Sequence, residues 1–265
     1  MRRCKTIYKI YENKYFNNLL LNLIKVRHCE NTTIEDIDYY ISLNNANKQY
    51  DNPINTFKVM LYLCSLLTEN GLNENTYIIT CDEIHNKLSI GNINAFKGSL
   101  QYISSISYGY KLYNQSKWYS VDNIIASYTH FKGYFKVVFS DEFISLLDRT
   151  KQFYQVNKSL LNSDVRYYRH SIFIGNYLLL HQRRNQGKHN EFVISVKELV
   201  KNCPLLPLYA DLPKEQRQVH RSIIKPFETN LTFACSLLSV KWQYVNSEPT
   251  NYIEFIRSKI VLESR

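Results

Sequence analysis

One order of elements occurs twice along this chain, and that repetition constrains its fold more than any single motif. In the first block, Tyr77-Ile78-Ile79-Thr80 is a short β-rich run, and Cys81 to Leu88 makes two helical turns ending in the turn Ser89-Ile90-Gly91-Asn92. A further helix runs from about Asn94 to Tyr108 with Phe96, Leu100 and Ile103 on its apolar side. Two β-rich runs close the block, Trp118 to Tyr128 and Phe135 to Phe139, joined by a turn containing Gly133. In the second block, Phe192-Val193-Ile194-Ser195 is the strand, and Val196 to Asn202 the two-turn helix. The turn Cys203-Pro204-Leu205-Leu206-Pro207 leads to a helix from about Pro213, and Val240 to Val245 and Tyr252 to Ile256 are the closing strands. A helix precedes each block. Pro53 to Glu69 spaces Phe57, Leu61, Cys64 and Leu67 helically with Pro53 in its first turn, and about Asp164 to Arg184 carries Ile172, Tyr177 and Leu180. Helix, strand, helix, turn, helix and two strands is the order of a winged helix. The expected fold is therefore α+β and predominantly helical, with two winged helices in tandem.

Ahead of them, 15–28 and 33–43 read as helices, the second introduced by a Thr32 to Glu35 capping-box pattern. The polar stretch Asn44 to Asn52 is the first boundary. The expected division is an N-terminal helical arm (1–52), a first winged helix (53–150) and a second (151–265). At 265 residues and 45% apolar composition the chain can bury two ordinary cores.

Charge separates the segments. Residues 1–50 carry 8 basic and 5 acidic side chains, 51–150 carry 8 and 9, and 151–265 carry 17 and 9, making net charges of +3, −1 and +8. A basic excess concentrated in one segment points to a face for a polyanion there. On the helix after Pro213, Lys214, Arg217, Arg221 and Lys225 are spaced by three, four and four, placing them on one face, with Val219, Ile223 and Phe227 on the other. A recognition helix needs that division: one side packed on its domain, the other offering guanidinium and ammonium groups to a major groove. Gln218 and His220 flank the stripe. Arg183, Arg184 and Lys188, with Lys241 and Gln243 on a wing strand, could extend a track along phosphates. The corresponding helix of the first block carries Asn92, Asn94, Lys97 and Gln101, able to bond bases but adding little charge. Pro226 removes a donor in mid-helix, so a kink or helix end is expected there.

Enzyme signatures are sparse. There is no G-x-x-x-x-G-K-[ST] and no His-hydrophobic-His pair for a nicking metal. Asp36 and Asp38 on one helix would point about 200° apart and read as surface acids. His181-Gln182-Arg183-Arg184 with Tyr209 matches the H-x-x-R and nucleophile of a tyrosine recombinase, a short match in a chain rich in both residue types. The six cysteines form no close pair and read as reduced core thiols of a cytoplasmic protein. The first apolar run, Leu19 to Val26, is broken by Asn22 and Lys25, too short and polar for a membrane segment.

The element order, together with Phe135-Lys136-Val137-Val138-Phe139-Ser140-Asp141-Glu142-Phe143, resembles the iteron-binding replication initiators of theta-replicating plasmids. In that family a strand ending in a Phe-Ser corner leads into a helix joining two winged helices, and Tyr167 to Leu180 resembles the opening helix of its second unit. The resemblance implies binding of double-stranded DNA at directly repeated origin sequences, chiefly through the second winged helix, with Lys214, Arg217 and Arg221 as readers. It further implies recruitment of host helicase machinery and a homodimer through the first winged helix. No cofactor and no catalysis are expected. A winged-helix transcriptional regulator would need the same groove chemistry and stands as the alternative, with a recombinase or nicking enzyme behind it.

Overall fold

The computed structural model describes residues 7–11, 19–20, 22, 33–35, 38–43, 52–111, 116–148, 153–163, 166–184, 191–203, 205–207, 209–212 and 218–264. Two compact units emerge, Ile7–Gln155 and Val156–Arg265. Both are winged helices.

In the first unit, α1 (Pro53–Glu69) starts where the Asn52 side chain accepts the Ile54 N–H at 3.0 Å and Pro53 occupies the first turn. Phe57, Leu61, Cys64 and Leu67 are buried as their spacing requires. Strand β1 (Ile7–Tyr11) pairs with a later strand, β9 (Phe153–Asn157). The Thr80–Glu83 capping box opens α2 (Cys81–Leu88), and Asn92 caps α3 (Ile93–Ser104). Lys58 is buried, its ammonium donating to the Leu88 carbonyl at 3.3 Å; this fastens the end of α2 to α1. Strands β4 (Thr76–Thr80), β7 (Ile125–Phe131) and β8 (Tyr134–Phe139) form an antiparallel sheet in the order β4-β8-β7. Its wing hairpin turns at Lys132-Gly133, where Gly133 has φ +93°, a conformation that disfavours side chains. Phe139-Ser140 then leads into α4 (Asp141–Asp148), with the Phe143 N–H donating to Ser140 Oγ at 3.3 Å.

Four expectations fail in this unit. The reading of 33–43 as a helix is overturned: Thr33–Glu35 is β2 and Tyr39–Leu43 is β3, so no Thr32–Glu35 capping box opens a helix here. Residues of the expected arm thus belong to the first unit's second sheet, in which β2 and β3 are followed by strands at Ile106–Lys111 and Trp118–Val121, while Leu19, Leu20 and Asn22 are helical and buried. The long helix stops at Ser104, because the Ser104 and Ser105 hydroxyls bond back to the carbonyls of Gln101 and Tyr102. The next residues, Ile106–Lys111, form β5, in which aromatic residues alternate. Gly109 is required there, since a Cβ would collide with the Tyr40 ring packed across it. Finally, Trp118 to Tyr128 is two strands: Trp118–Val121 is β6, paired with β5, before β7 joins the other sheet. The Asn44 to Asn52 boundary lies outside the described residues except for Asn52.

The second unit repeats the plan. A short helix α5 (Lys158–Leu161) and a turn precede α6 (Ser171–Arg184), which begins later than Asp164 because the Ser171 hydroxyl and N–H both bond the Tyr168 carbonyl. Gly175 lets α6 approach α5, where a Cβ would press on Leu160. Strand β10 (Glu191–Ser195) leads through the Ser195 cap into α7 (Val196–Lys201). The third helix is a π turn, His220–Ile224, continuous with α8 (Lys225–Leu238). The helix expected from about Pro213 therefore begins only at Val219: Gln218 lies outside it, its carbonyl accepting the Ser222 N–H at 2.9 Å, and 213–217 lie outside the described residues. The closing strands are β11 (Val240–Tyr244) and β12 (Lys259–Ser264), in the order β10-β12-β11, the same arrangement as in the first unit. The expected strand Tyr252 to Ile256 is instead helix α9 (Tyr252–Arg257), because Asn251 accepts the Glu254 N–H and the Glu254 carboxylate takes the Thr250 N–H in return. Phe255 from α9 meets Phe227 of α8 edge-on at 5.2 Å in a core with Ile223, Ile224, Leu231, Ile194 and Leu262.

Pro226 does not end the helix; the irregularity expected near it is a π turn directly before it. The π turn carries the Lys225 N–H to the His220 carbonyl, one residue further back than in an α-helix. This widening relieves the crowding a proline ring imposes on the preceding turn. The described cysteines are free; burial raises the thiols of Cys64, Cys203 and Cys235. Among the described residues, no helix is long and apolar enough to cross a membrane.

Candidate nucleic-acid interface

The third helix of the second unit divides as amphipathic spacing requires. Ile223, Ile224, Phe227, Leu231, Ala234 and Cys235 are buried in the core, whereas His220, Arg221 and Lys225 are exposed, as is Gln218 just ahead of the helix. The exposed row continues past Pro226 through Thr229, Thr232 and Ser236. Guanidinium and ammonium groups therefore lead a ridge that ends in hydroxyls. Lys214, Arg217 and Lys188 lie outside the described residues. Arg183 and Arg184 close α6, and their side chains are likewise outside the description.

Two neighbours flank the ridge. At about 100° per residue, Glu228 and Thr232 fall to one side of Lys225, and Pro226, Asn230 and Phe233 to the other. On the first side stands β11: the Tyr244 hydroxyl donates to Glu228 Oε1 at 2.9 Å, and Trp242 Nε1 donates to Thr232 Oγ1 at 3.0 Å. Burial, followed by the Glu228 carboxylate, raises the Tyr244 phenol far above its ordinary value, so it remains a donor. Thr232, its oxygen engaged by the indole, keeps its own O–H to donate outward. On the second side the Tyr168 ring stacks on Phe233, centroids 3.8 Å apart and planes within 7°. An open groove of about 540 Å³ runs between these walls, over Lys225, Thr229, Thr232 and Ser236.

Lys241 and Gln243 are exposed, but strand alternation turns them away from Trp242 and Tyr244, onto the sheet face opposite the helix. The structure does not bring them together with the ridge. Lys241 stands across from Glu263 in the β11–β12 register. In the first unit, Asn94, Lys97 and Gln101 share an exposed face of α3, while the Asn92 side chain accepts the Asn94 N–H at 2.9 Å as the helix cap. His181 lies against Phe192 and Tyr177, and Tyr209 stacks on Tyr252, so both rings of the recombinase-like match are packed.

Thr229, Thr232 and Ser236 escape a sequence reading that doubts the helix beyond Pro226; the spacing of four, three and four from Lys225 marks them once the helix is extended. Trp242 and Tyr244 show no signal beyond β alternation.

No family model and no curated protein matches the chain. Solved structures do. The Pi initiator protein, in a crystal structure in complex with iteron DNA, superposes with a TM-score of 0.53 at 14% identity, covering 98% of this chain and 97% of that one. Domains 2–3 of RctB give a TM-score of 0.47 at 9% identity over 100% and 93% of the two chains. A selenomethionine crystal form of the same RctB domains gives 0.46 at 9% over 99% and 93%. The likeness to the Pi initiator shows the fold: this chain is an α+β protein of two winged helices in tandem, built as that initiator is.

Proposed function

We propose that this protein binds double-stranded DNA sequence-specifically and initiates plasmid replication at direct repeats of an origin, acting by binding and not by catalysis. The observation that carries the reading is the exposed ridge on the second unit's third helix, His220, Arg221 and Lys225 followed by Thr229, Thr232 and Ser236, with Gln218 exposed at its start. Arginine can meet the O6/N7 edge of guanine bidentately, while the hydroxyls can donate to or accept from base edges. The fold shared with an initiator that holds iteron DNA supports the replication role. On this reading the protein works in the cytoplasm. Its near-neutral first unit is left for a homodimer contact and for host helicase machinery, with Asn94, Lys97 and Gln101 as a weaker DNA contact.

Fluorescence anisotropy against the short direct repeats beside the gene tests the DNA reading. The expected result is preference for the repeats over a scrambled duplex at moderate salt; equal affinity overturns it. For the replication role, the gene with its flanking DNA should sustain a plasmid that lacks an origin, and failure to do so while specific binding persists leaves a transcriptional regulator.

A further inference from the structure

The turn 166–170, ahead of α6, is fastened to the same helix that carries the ridge. The Asn230 side chain does this from two ends: its Oδ1 accepts the His170 N–H at 2.9 Å, and its Nδ2 donates to the Pro226 carbonyl at 2.7 Å. The Tyr168–Phe233 stack makes a second attachment one helical turn further along. Ser171 closes the turn by donating its hydroxyl to the Tyr168 carbonyl at 2.7 Å. Tyr168 packs on Phe233 and His170 is buried, while Arg166, Tyr167 and Arg169 are exposed, and the Arg166 guanidinium lies over the Tyr167 ring at 5.8 Å. Tyr167 is 69% exposed, the largest value among the exposed large apolar or aromatic side chains of the described residues.

A major groove about 12 Å wide admits a helix about 10–12 Å across with little room to spare, so groups standing beside that helix meet the phosphate rows. The two sides of α8 differ in charge. The groove wall on the β11 side includes the exposed carboxylate of Glu248, which repels phosphate, whereas the opposite wall is the Tyr168–Phe233 stack, and the turn that supplies Tyr168 carries the exposed Arg166 and Arg169.

The geometry points to Arg166 and Arg169 as a phosphate-binding pair that fixes the register of the third helix on duplex DNA, an inference that rests on the duplex-binding reading above. The pair recognises the sugar-phosphate backbone and not sequence. Asn230, Phe233 and Tyr168 act as positioning residues, because they hold the pair at a set offset from Arg221 and Lys225.

The test is anisotropy of the full chain on the repeat duplex and on a scrambled duplex across a salt series, with Arg166→Gln, Arg169→Gln, the double variant and Lys259→Gln. Lys259 is exposed on β12, next to the inward-facing Ile260, so its loss removes the same charge from the far face of the sheet. The double variant is expected to bind both duplexes about tenfold or more weakly, to keep its preference between them, and to lose about 1 from the salt slope for each arginine. Lys259→Gln should leave the slope unchanged. Unaltered slope and affinity in the double variant, with Arg221→Ala still weakening the repeat, overturn the phosphate pair and leave the DNA reading intact. A loss in Lys259→Gln equal to that of either single arginine variant assigns the effect to net charge and also overturns it. No preference for the repeats in the unsubstituted protein removes both readings together.

Discussion

In the first unit the third helix spans 12 residues, turns Asn94, Lys97 and Gln101 to solvent, and gives way to a strand and an inserted sheet. Its counterpart absorbs a proline through a π turn, runs on for 14 residues, and shows Arg221 and Lys225 followed by a row of hydroxyls. The sheets beside them have one strand order, with the last strand in the centre. The wings differ: a tight hairpin at Gly133 in one, and in the other a connection that includes α9 and returns Phe255 to the core. One scaffold therefore carries two surfaces, and only the second has the charge for a polyanion. Buried apolar residues specify the scaffold, while a handful of exposed positions decide what it binds.

The largest effect that separates scaffold from surface is in the cores. Phe96 and Phe227 are both fully buried in the third helices, so Phe96→Ala and Phe227→Ala should each cost about 3–5 kcal/mol, read as urea midpoints. A large loss for one and little for the other would break the equivalence of the two cores.

Next comes the surface. Arg221→Ala and Lys225→Ala, both exposed, should each cost about 1–3 kcal/mol of affinity for the repeat duplex without lowering thermal stability. Lys97→Ala and Gln101→Ala, exposed on the first unit's helix, should each cost less, by anisotropy. Comparable losses in both units would replace the strong-and-weak division with two equal contacts.

How much of this contrast is written in the sequence follows from the physics of each element. Helices with strong local punctuation are legible to the residue: Pro53 and Asn52 start α1, and Thr80 with Glu83 starts α2. Strands that lack a plain β-rich run of their own are not. Tyr39–Leu43 can be written as a helix face until β5 is seen beside it, and Lys259–Ser264 owes its central place to β10 and β11. Tyr252–Arg257 fails in the opposite direction, since its aromatic and β-branched residues suggest a strand while the decisive signal is the Asn251–Glu254 cap. The ridge is legible because charge spacing is local. Its flanks are not, because Tyr168 on Phe233 and Asn230 on His170 are contacts across 65 and 60 positions of sequence.

The two units also differ in how a buried polar group joins their helices. The first uses Lys58 on the Leu88 carbonyl; the second uses Asn230 beside His170. Burial, and after it the Arg169 charge, lower the His170 imidazole to about 4 from 6.5, and its Nδ1 has no hydrogen-bond partner. The unfolded chain therefore takes up the proton first as pH falls. Stability from this group is complete above about pH 6.5 and declines until about pH 4, by roughly 3 kcal/mol over that window. Urea midpoints at pH 7 and pH 4.5 should show this slope in the unsubstituted protein and a shallower one in His170→Gln. Equal slopes would mean that the imidazole does not titrate between the folded and unfolded states.

The smallest expected effect lies where the units agree. Ser89 ends α2 at φ +53° and Ser239 ends α8 at φ +58°, so each unit closes a helix with a side-chain-bearing residue in the left-handed region. Glycine reaches that region without the steric penalty of a Cβ, and it is the residue most often found there. Its greater freedom in the unfolded chain offsets part of that gain. Ser89→Gly and Ser239→Gly should therefore each raise the melting temperature slightly, by a change worth about 0.5–1 kcal/mol. Ser239 is exposed and lies beyond Ser236, the last hydroxyl of the ridge, so Ser239→Gly should leave duplex affinity unchanged. A loss of affinity in that variant would extend the proposed DNA-binding surface past the end of the helix and into the start of β11.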